Sequence, residues 1–262
     1  MANGSLRMRL NIYSSGVISM RNKWILIYSC LTVLAVYLLF AVCTDKGVRV
    51  IMENKVLPPV NTVIIDAGHG GEDGGATSCC GFLESDINLE ISLRLNDLLN
   101  FLGHRTIMVR TEDVSVHTEG QTIAQRKVSD LKNRVQLVNE TENALLVSIH
   151  QNYFADSRYS GAQVFCADSA GSRKLAEKIQ KSFHDTINLD SKRMVKAAQN
   201  IYLMNEIRRD GVLIECGFLS NYQEEQKLRD LEYQKKICAV IASSVCTYMQ
   251  EDLFLLDHTK VH

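Results

Sequence analysis

The stretch VIIDAGHGGEDGGA, Val63 to Ala76, begins as an apolar run and ends as a glycine-rich turn, with His69 at the bend. Val63, Ile64 and Ile65 form a short continuous hydrophobic segment closed by turn residues, the pattern of a strand buried on both faces. A turn needs glycine for its backbone, but it does not need a histidine. His69 therefore marks the end of this strand as a place where chemistry can occur.

Working outward, strand and helix patterns alternate. INLEISLRLNDLLNFLG, from Ile87 to Gly103, predicts a helix: Ile87, Ile91, Leu95, Leu99 and Leu102 recur at helical spacing, Ser85 or Asp86 can cap its start, and Gly103 can end it. RTIMVR (Arg105–Arg110) predicts a strand. IAQRKVSDLKNRVQLVNE (Ile123–Glu140) predicts an amphipathic helix with Val128, Leu131, Val135 and Val138 on its apolar face. ALLVSI (Ala144–Ile149) and GAQVFC (Gly161–Cys166) read as strands, and residues 172–184 as a helix. NIYLM (Asn200–Met204) and GVLIEC (Gly211–Cys216) read as short strands, and residues 222–249 as one or two closing helices. Strands separated by helices predict an α/β fold: a single domain over residues 62–250, built on a mostly parallel twisted sheet flanked by helices, with a tail at 251–262.

Composition limits the functional classes. The formal net charge of -1 removes the basic excess on which nucleic-acid binding depends, so no nucleic-acid partner is expected. Ahead of the domain, WILIYSCLTVLAVYLLFAVC, Trp24 to Cys43, holds no charged residue over about 20 positions, the length that crosses a bilayer as a helix. Arg7, Arg9, Arg21 and Lys23 precede it, which keeps residues 1–23 in the cytoplasm and sends the remainder outside. The expectation is a transmembrane anchor at 24–43 and a linker at 44–61 that carries the only two prolines, Pro58 and Pro59. A cleaved signal segment is the alternative, and it leads to the same exported destination. Cys166, Cys216, Cys238 and Cys246 lie in apolar contexts and read as buried free thiols, while the adjacent Cys79 and Cys80 are poorly disposed to pair with each other.

In open parallel sheets, ligands bind beyond the carboxyl ends of the strands. The first strand delivers Asp66 and then His69. ALLVSI delivers His150, followed by Gln151 and Asn152, and GVLI delivers Glu215. Two imidazoles and a carboxylate on one rim match the ligand chemistry of zinc, which takes three protein ligands and a water in catalytic sites. A further ligand can come from Glu72, Asp73, Glu84 or Asp86, and spacing alone does not choose among them, although Glu84 sits nearest the rim on a constrained segment. Asp66 and Asn152 are candidates to orient the histidines. Other chemistries fit less well. The turn contains neither GxGxxG nor GxxxxGK[ST], and no HExxH or GxSxG is present. Cys216 is flanked by apolar residues, which disfavours a reactive thiolate.

Four ordered blocks, IIDAGHGG, GFLESDINLEIS, LLVSIHQN and VLIECGFLSN, closely resemble the signatures of the zinc-dependent N-acetylmuramoyl-L-alanine amidases of bacterial cell walls. The resemblance runs from about Val63 to Met249. It implies that His69, Glu84 and His150 are zinc ligands and that Glu215 is the catalytic acid/base. Serine follows Glu84 where the family commonly has lysine. The implied substrate is peptidoglycan, glycan strands bearing stem peptides, cut between muramic acid and L-alanine. AQRKVSDLKNRVQLVN is similar to a subgroup acting on the spore cortex, where amidase action precedes muramic lactam formation and bears on sporulation and germination. The implied setting is the cell membrane, with the catalytic domain outside and an activating protein partner possible. The alternatives are a zinc peptidase cutting within the stem peptide and an inactive, membrane-anchored wall-binding protein.

Overall fold

β-Branched residues crowd the central strands, and the sheet they build is buried on both faces. The computed structural model describes residues 61–259, together with positions 24, 28, 29, 31–34 and 37 upstream. Six strands, β1 (Thr62–Ala67), β2 (Arg105–Met108), β3 (Ala144–Asn152), β4 (Gln163–Cys166), β5 (Lys196–Ala197) and β6 (Asp210–Phe218), lie in the order β2-β1-β3-β6-β4-β5. Every neighbouring pair is parallel except β4 with β6. The sheet is thus mostly parallel, as the alternating pattern predicts.

Period-two alternation divides the core into two layers. Val63, Ile65, Val147 and Ile214 face helices α1 (Glu84–Phe101), α3 (Ala170–Thr186) and α6 (Leu231–Thr259), whose Leu95, Phe183 and Ile241 are fully buried there. Each such side chain contributes about 1.5–3 kcal/mol by leaving water. Ile64, Leu146 and Leu213 face the opposite way, toward Val138 of α2 (Ile123–Glu140) and Leu203 and Met204 of α4 (Tyr202–Glu206). A short helix, α5 (Tyr222–Arg229), separates β6 from α6. Asp66, Ser148, His150 and Glu215 share strand parity with the second layer, which directs the chemistry to the α2/α4 side.

Three local expectations change. Helix α1 starts at Glu84, not at a Ser85 or Asp86 cap: Leu83 is the N-cap residue and provides no side-chain bond. The preceding loop caps the helix with backbone instead, as the Glu84 and Ser85 N–H groups donate to the carbonyls of Ala76 and Gly74 at 2.9 and 3.1 Å. Gly103 does end the helix, at φ +85°, with its N–H and that of His104 returning to Asn100 and Leu99. The face that α2 buries is turned from the expected one and overlaps it at Val138 and Val135. Val128 is exposed, whereas Ser129, Asp130, Arg134 and Val138 are buried, because the adjoining sheet surface presents Asp66 and calls for a cation. NIYLM is not a strand: Asn200 adopts a left-handed φ of +67°, turns the chain off the sheet edge after β5, and leads into α4.

The segment 24–43, where a membrane span is expected, lies largely outside the described residues, and its described positions are helical. Among the described residues no helix is long and apolar enough to cross a membrane. Residues 1–23 and nearly all of the linker 44–61 also lie outside them.

Candidate metal centre

The rim residues meet at the carboxyl ends of β1 and β3. His69 follows β1, His150 lies two residues before the end of β3, and Glu84 opens α1. The Glu84 Oε1 atom lies 3.3 Å from His69 Nε2 and 3.0 Å from His150 Nδ1. Ligand atoms of the three residues lie within 4.8 Å of one another. Tetrahedral zinc with bonds of about 2.0–2.1 Å places its ligand atoms about 3.4 Å apart, so the donor set and spacing fit such an ion. Of the four acids left open by spacing, Glu84 is the one standing between the imidazoles. Glu72 is paired with Arg126 at 2.7 Å, Asp86 is exposed, and Asp73 accepts from His69 on the opposite side of the ring.

The surrounding bonds fix the three side chains. Asp73 Oδ2 meets His69 Nδ1 at 3.0 Å and Lys127 Nζ at 2.9 Å, leaving His69 Nε2 toward Glu84. Burial opposes the Asp73 carboxylate, but His69 and Lys127 overcome it and lower the pKa to about 2. Burial also disfavours the His69 imidazolium, and Glu84 followed by Asp73 outweighs it, raising the pKa. Glu84 is buried as well, yet the hydrogen bonds and charges of His150 and His69 hold its carboxyl far below the usual range. Its oxygens accept from the Ala76 and Gln151 N–H groups and from Asn88 Nδ2 at 2.9, 3.2 and 3.2 Å. Asp66 and Asn152, expected to orient the histidines, do not show that contact. Asp66 is engaged by Arg134 and by Ser148 Oγ, and His69 takes Asp73 in its place.

Glu215 stands beside the triad, paired in register with His150 across β3 and β6. Its Oε2 is buried and has no hydrogen-bond partner among the described residues. Burial is the main cause that raises its pKa to about 7; His150 draws it down and Glu84 pushes it up. Cys216, the next residue, is buried, and burial drives its thiol well above the ordinary range, which suits an inert side chain.

Residues 63–247 match the family described as N-acetylmuramoyl-L-alanine amidase, Amidase_3. The chain belongs to this family. It is 37% identical over 191 residues to the germination-specific N-acetylmuramoyl-L-alanine amidase of Bacillus subtilis, covering 72% of this chain and 80% of that protein. It is 30% identical to the amidase LytC of the same organism over 74% of this chain and 37% of LytC. Among solved structures, the CwlD amidase of Clostridioides difficile, determined in complex with the GerS lipoprotein, superposes with a TM-score of 0.70 at 38% identity, covering 72% of this chain and 98% of that one.

The amidase site also depends on residues that the sequence patterns did not single out. His69 adopts φ +62°, a left-handed backbone that costs a non-glycine residue about 1–2 kcal/mol. Two buried arginines overdetermine it. Arg134 donates to the carbonyls of Ala67 and His69 at 3.1 and 2.9 Å, to Asp130 Oδ2 at 2.6 Å, and to Asp66. Arg110 donates to the carbonyls of Ala67, Gly68 and Ser85 at 2.9, 3.1 and 2.8 Å, joining the His69 turn to the start of α1. The one signal of this in the sequence is a carboxylate and a guanidinium, Asp130 and Arg134, spaced i,i+4 in α2. Gly68 is forced by proximity, because a Cβ there would lie 2.3 Å from His150 Nε2. A cavity of about 340 Å³ adjoins His69 and His150 on the α2/α4 side, bounded by Lys127, Leu131, Ile201 and Tyr202.

Proposed function

We infer that this amidase hydrolyses the bond between the lactyl carbonyl of N-acetylmuramic acid and the amine of L-alanine in peptidoglycan, with zinc held by His69, Glu84 and His150 and with Glu215 as acid/base. The observation that carries the reading is the buried, unpartnered Glu215 Oε2 beside the compact His–Glu–His cluster, in a chain whose family is defined by this activity. When bound, zinc polarises the carbonyl and activates water. Glu215 takes the proton of the attacking water and returns it to the departing amine, so one carboxyl serves both halves of the reaction. A pKa near neutrality suits both roles. Asp73, bridged to Lys127, fixes the ring orientation of His69, and Asn88 fixes Glu84. The cavity toward Tyr202 gives the muramyl side of the substrate room beside the histidines.

The biological setting is spore-cortex remodelling, where peptide removal prepares muramic lactam formation; the likeness to a germination-specific amidase supports it. The domain acts outside the membrane, carried by the apolar segment at 24–43 as an uncleaved anchor. An activating protein partner is part of this reading, supported by the determination of CwlD with a lipoprotein. Mass analysis of muropeptide digests tests the bond assignment. Digestion should free peptides beginning with L-alanine and stop with a chelator. Fragments cut inside the stem peptide would establish a peptidase instead. Glu215→Gln should retain metal and lose about 10²–10⁴-fold in rate; cleavage at the parent rate would remove Glu215 from the reaction.

A further inference from the structure

The turn leading from β1 to Glu84 carries a second set of ligand-type side chains. Cys79 and Cys80 are exposed free thiols with Sγ atoms 4.0 Å apart. Glu225, a fully buried residue on α5, completes a group whose ligand atoms lie within 4.8 Å of one another. Two thiolates bound to a tetrahedral ion at about 2.3 Å are about 3.8 Å apart, so the sulfur pair is already near coordinating separation. The turn itself is well fastened. Ser78 Oγ accepts from the Cys80 and Phe82 N–H groups at 3.2 and 3.0 Å, and the Cys79 N–H donates to the Leu219 carbonyl at 3.0 Å.

Glu225 has coordinating capacity left. Its Oε1 accepts from Arg229 at 3.3 Å and from Ser78 Oγ at 3.5 Å, both long contacts, and its Oε2 accepts from Gln226 at 2.7 Å. A carboxylate offers about four lone-pair sites, so these bonds do not saturate it. Arg229 is the competing cation, and its guanidinium is also drawn 3.4 Å over the Phe82 ring.

We propose that Cys79, Cys80 and Glu225 form a second metal site, distinct from the His69–Glu84–His150 cluster, which takes a thiophilic divalent cation of the zinc–cadmium class with water as its remaining ligand. Both thiols lose their protons on binding, so each ion taken up releases two protons and no oxidant or reductant takes part. The bound ion ties the turn that runs into Glu84 to the helix following β6, bracing one side of the catalytic cluster.

Cadmium titration of the reduced full chain, followed by thiolate-to-metal charge-transfer absorption in the ultraviolet, tests this site apart from the amidase reading. The parent and a His69→Ala/His150→Ala variant should both develop the band. Cys79→Ser/Cys80→Ser should lose it and hold one fewer zinc per chain by elemental analysis, with unchanged far-ultraviolet circular dichroism. Glu225→Gln should weaken the titration. No band in the reduced parent, or an undiminished band in the serine variant, overturns the proposal. If the serine variant fails to fold, alkylation of the parent decides: cadmium should protect Cys79 and Cys80 from iodoacetamide, as read by peptide mass spectrometry, and alkylation at an unchanged rate rejects the site.

Discussion

Replacing Arg134 by methionine keeps most of the side-chain volume but removes the cation beneath the His69 turn. Arg134 is 3% exposed, and its ionic partners Asp66 and Asp130 are 1% and 8% exposed. Breaking a buried pair by deleting one partner costs about 3–5 kcal/mol, because the other charge is left in a poor solvent. Against a typical domain stability of about 5–15 kcal/mol, that is a large fraction. For a domain of this size it lowers Tm by about 6–20 °C. The pH dependence gives a sharper signature. In the parent, burial opposes the Asp66 carboxylate, but Arg134, His150 and Ser148 together hold its pKa below the ordinary value. That stability is present above the unfolded pKa of about 3.9 and is lost as pH falls through the depressed folded value. In Arg134→Met, burial prevails and raises the Asp66 pKa, so protonation relieves the variant while it weakens the parent. Urea unfolding of metal-free protein should therefore show a deficit that is greatest near neutral pH and shrinks below about pH 4. A deficit under about 1 kcal/mol at neutral pH, the scale of an exposed pair, or one that is the same at both pH values, refutes the buried-clamp reasoning.

Gly68→Ala should displace the His150 ring and weaken zinc binding while the far-ultraviolet circular dichroism remains native; an unchanged zinc dissociation constant would contradict the 2.3 Å approach. His69→Ala and His150→Ala should each lose the catalytic metal, so a variant that keeps its full parental zinc content by elemental analysis removes that histidine from the ligand set. The rate constant kcat/KM should fall on acidification, because Glu215 must be ionised to take a proton and burial raises its pKa to about 7. A bound dication favours the carboxylate and moves this limb to lower pH. A pH profile that is flat from about pH 8 to pH 4 would exclude Glu215 as the base and the histidines as ligands.

By itself the sequence determined the alternating α/β order, the three strands that carry or precede His69, His150 and Glu215, and the rim on which they emerge. These depend on local periodicity: apolar runs bury where they stand, and a strand delivers whatever follows it. The four family blocks added the expectation that Glu84 belongs with the two histidines. Only the tertiary structure decided which acid lies between the imidazoles, because Glu72, Asp73, Glu84 and Asp86 are close in sequence and their separation depends on how the turn folds. It also decided which face of α2 is buried. Val128, Leu131, Val135 and Val138 match an amphipathic pattern, and Val135 and Val138 do reach the core, but the guanidinium that meets the buried Asp66 turns the helix so that Val128 is exposed, and no local window contains Asp66 and Arg134 together. The helical turn at Tyr202 and the antiparallel setting of β4 have the same origin. Each depends on the edge the chain meets after a long connection, a contact between distant residues that short-range pattern does not carry.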